Sequence, residues 1–144
     1  FKVKAPPDTL FEDEAWARVR KNLLSALKGD LALDLVLDEK LRTYQSAVKT
    51  TASRPDKIIV DNSGSDFFTI VEVYTYNFPG LLYRITDALF RCKLDVWVAK
   101  ITTKVDQVLD IFYVRDFDGQ KVIDLQQVEI IKSTIRKVLT ATPE

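Results

Sequence analysis

The stretch Thr69-Ile-Val-Glu-Val-Tyr-Thr-Tyr-Asn77-Phe-Pro-Gly80-Leu-Leu-Tyr83 decides the fold. Its first half alternates and is rich in β-branched and aromatic residues, which fit a pleated strand. Asn77-Phe78-Pro79-Gly80 breaks the alternation, and then Leu81, Leu82, Ile85, Ala88, Leu89 and Cys92 recur at helical spacing. A strand that feeds a helix through such a turn leaves backbone N–H groups unpaired at the helix start. With the helix dipole behind them, those groups suit a small anion. Pro79 fits the first helical position, where its missing N–H costs nothing. Gly80 lets a ligand approach the backbone. The expected donors are the N–H groups of Gly80, Leu81 and Leu82, and Asn77 adds a side-chain donor and acceptor.

Working outward, residues 94–104 read as a strand, Asp106-Gln107 as a tight turn and 108–115 as another strand. Asp118-Gly119 is a further turn, and a last helix carries Leu125, Val128, Ile131, Ile135, Val138 and Leu139 on one face. Upstream, Lys57 to Val60 is a short β run, Asp61 to Asp66 is a turn by composition, and a strand runs from Phe67 to Tyr76. A short polar loop between two β runs predicts an antiparallel hairpin. The order from residue 57 is β-β-α-β-β-α. That pattern predicts an α+β, ferredoxin-like domain, a four-stranded antiparallel sheet with two helices on one face. The usual order is β-α-β-β-α-β. Here the front strand takes the slot of the missing last one, a circular permutation.

Residues 1–10, with Pro6-Pro7, read as extended, and Asp8 or Thr9 as a cap. From Phe11, the residues Trp16, Val19, Leu23, Ala26 and Leu27 repeat at helical spacing, and Gly29 supplies the stop,. Leu31 to Val48 fits both a strand and a helix; its length favours a second helix. Thr50 to Pro55 reads as a linker. The expected division is a helical segment over 1–56 and a second domain over 57–144. The chain opens on Phe1 and has no methionine, so it reads as a piece of a longer protein.

Lys+Arg and Asp+Glu each number 21. The balanced charge argues against a nucleic-acid module. With no histidine, the commonest general base and metal ligand are missing, and neither a Ser-His nor a Cys-His pair can be built,. No catalytic residue, metal ligand or cofactor site is expected. The single Cys92 lies on an apolar stripe and reads as a buried, inert thiol,. No apolar run is long enough to span a bilayer, and a cytoplasmic setting fits the cysteine usage.

Lys57-Ile-Ile-Val-Asp-Asn-Ser-Gly-Ser65, Thr69-Ile-Val-Glu-Val73 and Asn77-Phe-Pro-Gly-Leu-Leu82 together resemble an ACT domain, as do Val98-Ala-Lys-Ile-Thr-Thr103 and Asp110-Ile-Phe-Tyr-Val-Arg-Asp116. The combination is most similar to the first of the two C-terminal ACT domains of bifunctional uridylyltransferase/uridylyl-removing enzymes. Plant ACT-repeat proteins share the front strand and the same motifs. The resemblance covers roughly residues 57–140, and weaker similarity extends upstream around Trp16 and Leu23. The family's Asp-Arg-Pro-Gly stands here as Asn77-Phe78-Pro79-Gly80. The resemblance implies a regulatory domain that senses glutamine, with distant nucleotidyltransferase and hydrolase sites as its targets and the PII protein as the parent enzyme's partner. It implies a ligand site at Asn77, Phe78, Pro79, Gly80, Leu81 and Leu82. Val98, Ala99, Lys100, Ile101 and Thr102 of a paired domain would complete it.

By strand parity, Glu72, Lys100, Asp110, Val98, Phe112 and Tyr74 share the sheet face away from the helices. With Ile70 they make an apolar patch holding a few charges, fit for a second ACT domain or a homodimer mate. A face with aromatics also raises an RNA-recognition reading. Glu72 and Asp110 on the central strands argue against it by repelling phosphate.

Overall fold

The structure, a computed structural model, describes residues 11–47, 56–104 and 107–140. The readings of residues 1–10, of the Asp8 or Thr9 cap, of Val48, of the 50–55 linker and of Asp106 lie outside those residues. The chain divides into two compact units, residues 1–39 and 40–144. Helix α1 spans Glu12–Leu27, and α2 spans Leu33–Ala47 across the division. Acidic Glu12, Asp13 and Glu14 favour the α1 start through the helix dipole,. Its apolar residues Val19, Leu23 and Leu27 are exposed, and it buries no residue.

The second unit holds β1 (Lys57–Asp61), β2 (Thr69–Tyr76), α3 (Leu81–Arg91), β3 (Leu94–Lys104), β4 (Gln107–Asp116) and α4 (Leu125–Thr140). The strands form one antiparallel sheet in the order β1-β2-β4-β3. The front strand β1 is in the sheet, hydrogen-bonded beside β2, as the permuted order requires. Helices α3 and α4 pack on each other, α3 over β3 and α4 over β1. Between them and the sheet lies the core of Val71, Val73, Ile85, Leu89, Phe112, Val114, Ile131 and Ile135.

β2 begins two residues later than the composition suggests. Ser65 Oγ accepts from the N–H groups of Phe67 and Phe68, both at 3.2 Å, which holds them in the turn. Asp61 closes the same loop by accepting from Ser63 N–H at 2.8 Å and Ser63 Oγ at 2.6 Å. Those bonds hold its carboxyl below the usual range. A buried latch joins the loop to the approach of α4. Thr69 Oγ1 donates to Asn62 Oδ1 at 2.7 Å and accepts from Val122 N–H at 2.9 Å, while Asn62 Nδ2 donates to the Val122 carbonyl at 2.7 Å. Leu125 is the first residue of α4 and is exposed, not on the core stripe; Val122, in the approach to the helix, is buried instead.

The parity reading fails on one strand. Asp110 pairs across the sheet with Val73 and Ile101, and Phe112 with Val71 and Ala99. Both lie on the helix side and are buried. Glu72, Tyr74, Val98 and Lys100 do share the other face, where their register partners are Leu109, Ile111 and Tyr113. The reason is that β4 is apolar on both faces, so its register, not its composition, decides which way Asp110 turns.

Candidate functional site

The turn between β2 and α3 is built differently from its sequence reading. Leu81 N–H donates to the Phe78 carbonyl at 3.1 Å, and Gly80 sits in the left-handed region at φ 83, ψ 2. This is a type II turn with Pro79 at its first central position and Gly80 at its second. Pro79 therefore precedes the helix and does not open it, and Leu81 N–H is already used. Gly80 is the N-cap, and no side chain caps the helix. The first turn of α3 carries no acidic residue. The positive end of the dipole is left to the backbone N–H groups of the start, Gly80 and Leu82 among them.

That helix start opens on a cleft of about 220 Å³. One wall is Asn77, Phe78, Gly80, Leu81, Leu82 and Tyr83. The other is Ile101 and Thr103 of β3 with Val108 and Asp110 of β4. Drug-sized sites begin near ~300 Å³, so this one is on the scale of a single metabolite. Asp110 is 1% exposed, and its Oδ1 has no hydrogen-bond partner among the described residues. Burial pushes its carboxyl up to about 6,. On the outer side of the turn, the Asn77 carbonyl accepts from Tyr44 Oη of α2 at 3.3 Å.

A family model described as "ACR9-like, ACT-like domain" matches residues 57–142, the whole sheet and both of its helices. The chain belongs to the ACT-like domain family. The ACT domain and its upstream helices are also similar to bifunctional uridylyltransferase/uridylyl-removing enzymes. The chain is 30% identical over 132 residues to that of Gluconobacter oxydans, covering 92% of itself. It is 34% identical over 146 residues to that of Cereibacter sphaeroides, covering 100% of itself. It spans only 14% and 15% of those relatives' lengths. No solved structure matches the chain.

Within this ACT domain the expected site residues separate into groups. Asn77, Phe78, Gly80, Leu81, Leu82 and Ile101 meet around the cleft. Pro79 shapes the turn. Val98, Ala99, Lys100 and Thr102 lie along β3, an edge strand exposed from Asp95 to Thr103. Lys100 is engaged on the open face, its Nζ 3.2 Å from Tyr113 Oη and 5.0 Å from that ring's centre. The residues missed are Tyr83, Thr103, Val108 and Asp110. For Asp110 a signal existed, since it alternates with Val108, Phe112 and Val114 and a charge in that row is out of place. Cys92 ends α3, half-buried against the core.

With Phe112 turned inward, the open face carries aromatic and cationic side chains beside Ile70, Val98, Leu109 and Ile111. The Arg115 guanidinium lies 4.6 Å from the Phe68 ring centre and 5.3 Å from that of Trp97. Lys57 lies 5.7 Å from the ring centre of Tyr74. Tyr74 Oη donates to Glu72 at 2.9 Å, which raises the phenol above its ordinary range. Asp110 is absent from this face, so the electrostatic argument against RNA rests on Glu72 and the balanced net charge alone.

Proposed function

We propose that this chain is a regulatory ACT domain that senses a small amino acid, glutamine by analogy with the enzymes it resembles, at the start of α3. The single observation that carries the reading is the uncapped helix start, held open by Gly80 at the mouth of a metabolite-sized cleft. An amino-acid carboxylate accepts from backbone N–H groups there, the ordinary way a helix start binds an anion. Residues 1–56 serve as a helical linker and 57–144 as the sensing domain. The parent is a bifunctional uridylyltransferase/uridylyl-removing enzyme acting on the PII protein in the cytoplasm, and this is the first of its two C-terminal ACT domains. Val98 to Thr102 of a paired ACT domain close the cleft from outside. Tyr44 of α2 touches the turn carbonyl, which supports α2 as the element that carries the ligand's effect upstream.

The domain does no chemistry itself. It shifts distant nucleotidyltransferase and hydrolase sites only as far as the ligand binds one domain arrangement better than another. Calorimetry of the chain with glutamine and the other amino acids tests the reading. Saturable binding is expected, and it should be lost in Gly80→Val, which cannot hold the left-handed turn. No binding of any amino acid would reject the site and favour the second reading, a pairing module without a ligand. That reading draws on the long exposed edge of β3,.

A further inference from the structure

We infer that Asp110 is the counter-group for the cationic end of the ligand, so that the cleft takes a zwitterion, an α-amino acid with its ammonium free. The inference rests on the sensor reading above and deepens it by assigning the chemistry of each end. One wall of the cleft offers donors and a positive dipole end, at Gly80 and Leu82. The other offers an acceptor, the Asp110 carboxyl, buried with Oδ1 unpartnered among the described residues. Buried polar atoms in folded proteins almost always have a partner, and an orphan asks what supplies it. Here the orphan borders a cleft open to a ligand.

Among the described residues that line the cleft, none carries a positive charge. Val73 of β2 and Ile101 and Thr103 of β3 flank Asp110, and Leu81 and Tyr83 of α3 and Asn77 of the turn line the same space. The phenol of Tyr83 is the other titratable group among these residues, and no lysine or arginine is among the described residues that line the cleft. Burial alone holds the carboxyl up at about 6. An ammonium brought beside it favours the charged form. The proton then leaves Asp110 for solvent as the ligand enters. Affinity rises with pH through about 6 and levels off above, with proton release on binding at and below that point,.

The test is calorimetry of the whole chain with L-glutamine and with glutaramate, which is glutamine without its α-ammonium. Binding of glutamine about tenfold or more tighter than glutaramate is expected, the scale of one charge-assisted hydrogen bond. Asp110→Asn should erase that preference while staying folded, with a thermal transition no lower than that of the wild-type chain. Titrations in buffers of different ionisation heat count the proton in the wild type, whatever the variant does. Glutamine binding that is unchanged in Asp110→Asn, or that releases no proton near pH 6, overturns the role of Asp110 and leaves the sensor standing. If the wild type binds neither compound, the sensor reading falls, and this assignment with it.

Discussion

Asp110 puts an ionisable group among apolar neighbours, with no answering charge among the described residues around it. Its carboxyl has a folded-state value of about 6 against 3.8 for the free side chain. Between those values the folded protein keeps a proton that the unfolded chain gives up. Stability is therefore fullest below the lower value, falls by about 3 kcal/mol as pH rises through the window, and is flat above it. Asp110→Asn removes that slope. Thermal unfolding followed by circular dichroism should show the variant ahead by several degrees above pH 6 and level with the wild type near the lower limit. Equal transitions at both ends would mean the carboxyl is solvated after all. Asp61 works with the opposite sign. Its exposed carboxyl is held low by Ser63, so its contribution is present above its unfolded value and is lost as pH falls.

Among the elements, the latch at the loop between β1 and β2 is the firmest polar feature. Thr69 is fully buried, and its hydroxyl both donates to Asn62 and accepts from Val122. It ties the hairpin to the approach of α4 across 53 positions of sequence. Lys121 adds charge-assisted bonds to the carbonyls of Asn62 and Ser65, both at 2.6 Å. Thr69→Val keeps the shape and strands the Val122 N–H, at a cost of about 1–3 kcal/mol. Urea unfolding should show that loss as a lower midpoint at unchanged slope. The same loop leaves no room at Gly64, where a Cβ would stand 2.7 Å from Asp61 Oδ2 and 2.9 Å from Ile70 Cδ1. The type II turn before α3 is built on the opposite principle. It spends the Leu81 N–H on Phe78 and leaves the helix start uncapped.

At the scale of the whole sheet, β1 and β3 are the edges, and β3 is the exposed one. Val96, Trp97, Val98 and Ile101 are all at least 39% exposed, on a strand eleven residues long. Such an edge leaves backbone donors and acceptors open to pairing with another strand. Concentrated samples should self-associate in the ultracentrifuge, and Val98→Lys, a charge on that edge, should shift them to monomer. A wild-type chain that stays monomeric at high concentration would count against a homodimer mate and point to a different second domain.

Local patterning carried the elements and their order. Alternation marked β2, Gly80 marked the break, and the 3.6-residue repeat marked α3 and the body of α4. Even the extra front strand at Lys57 was legible, because a short polar loop can only return the chain beside its neighbour,. The backbone wall of the cleft was legible for the same reason, since a strand-to-helix turn sets it within a few residues. The opposite wall was not. Whether Asp110 faces solvent or core depends on the register of β4 against β2 and β3, and one step of slip reverses it,. Both faces of β4 are apolar, so no hydrophobic pattern decides between them. Packing decided it, by burying Phe112 under the helices and carrying Asp110 inward with it. The turn's place in the cleft wall therefore belongs to the sequence, while the loss of the Leu81 N–H to Phe78 and the inward carboxyl of Asp110 are products of the folded chain.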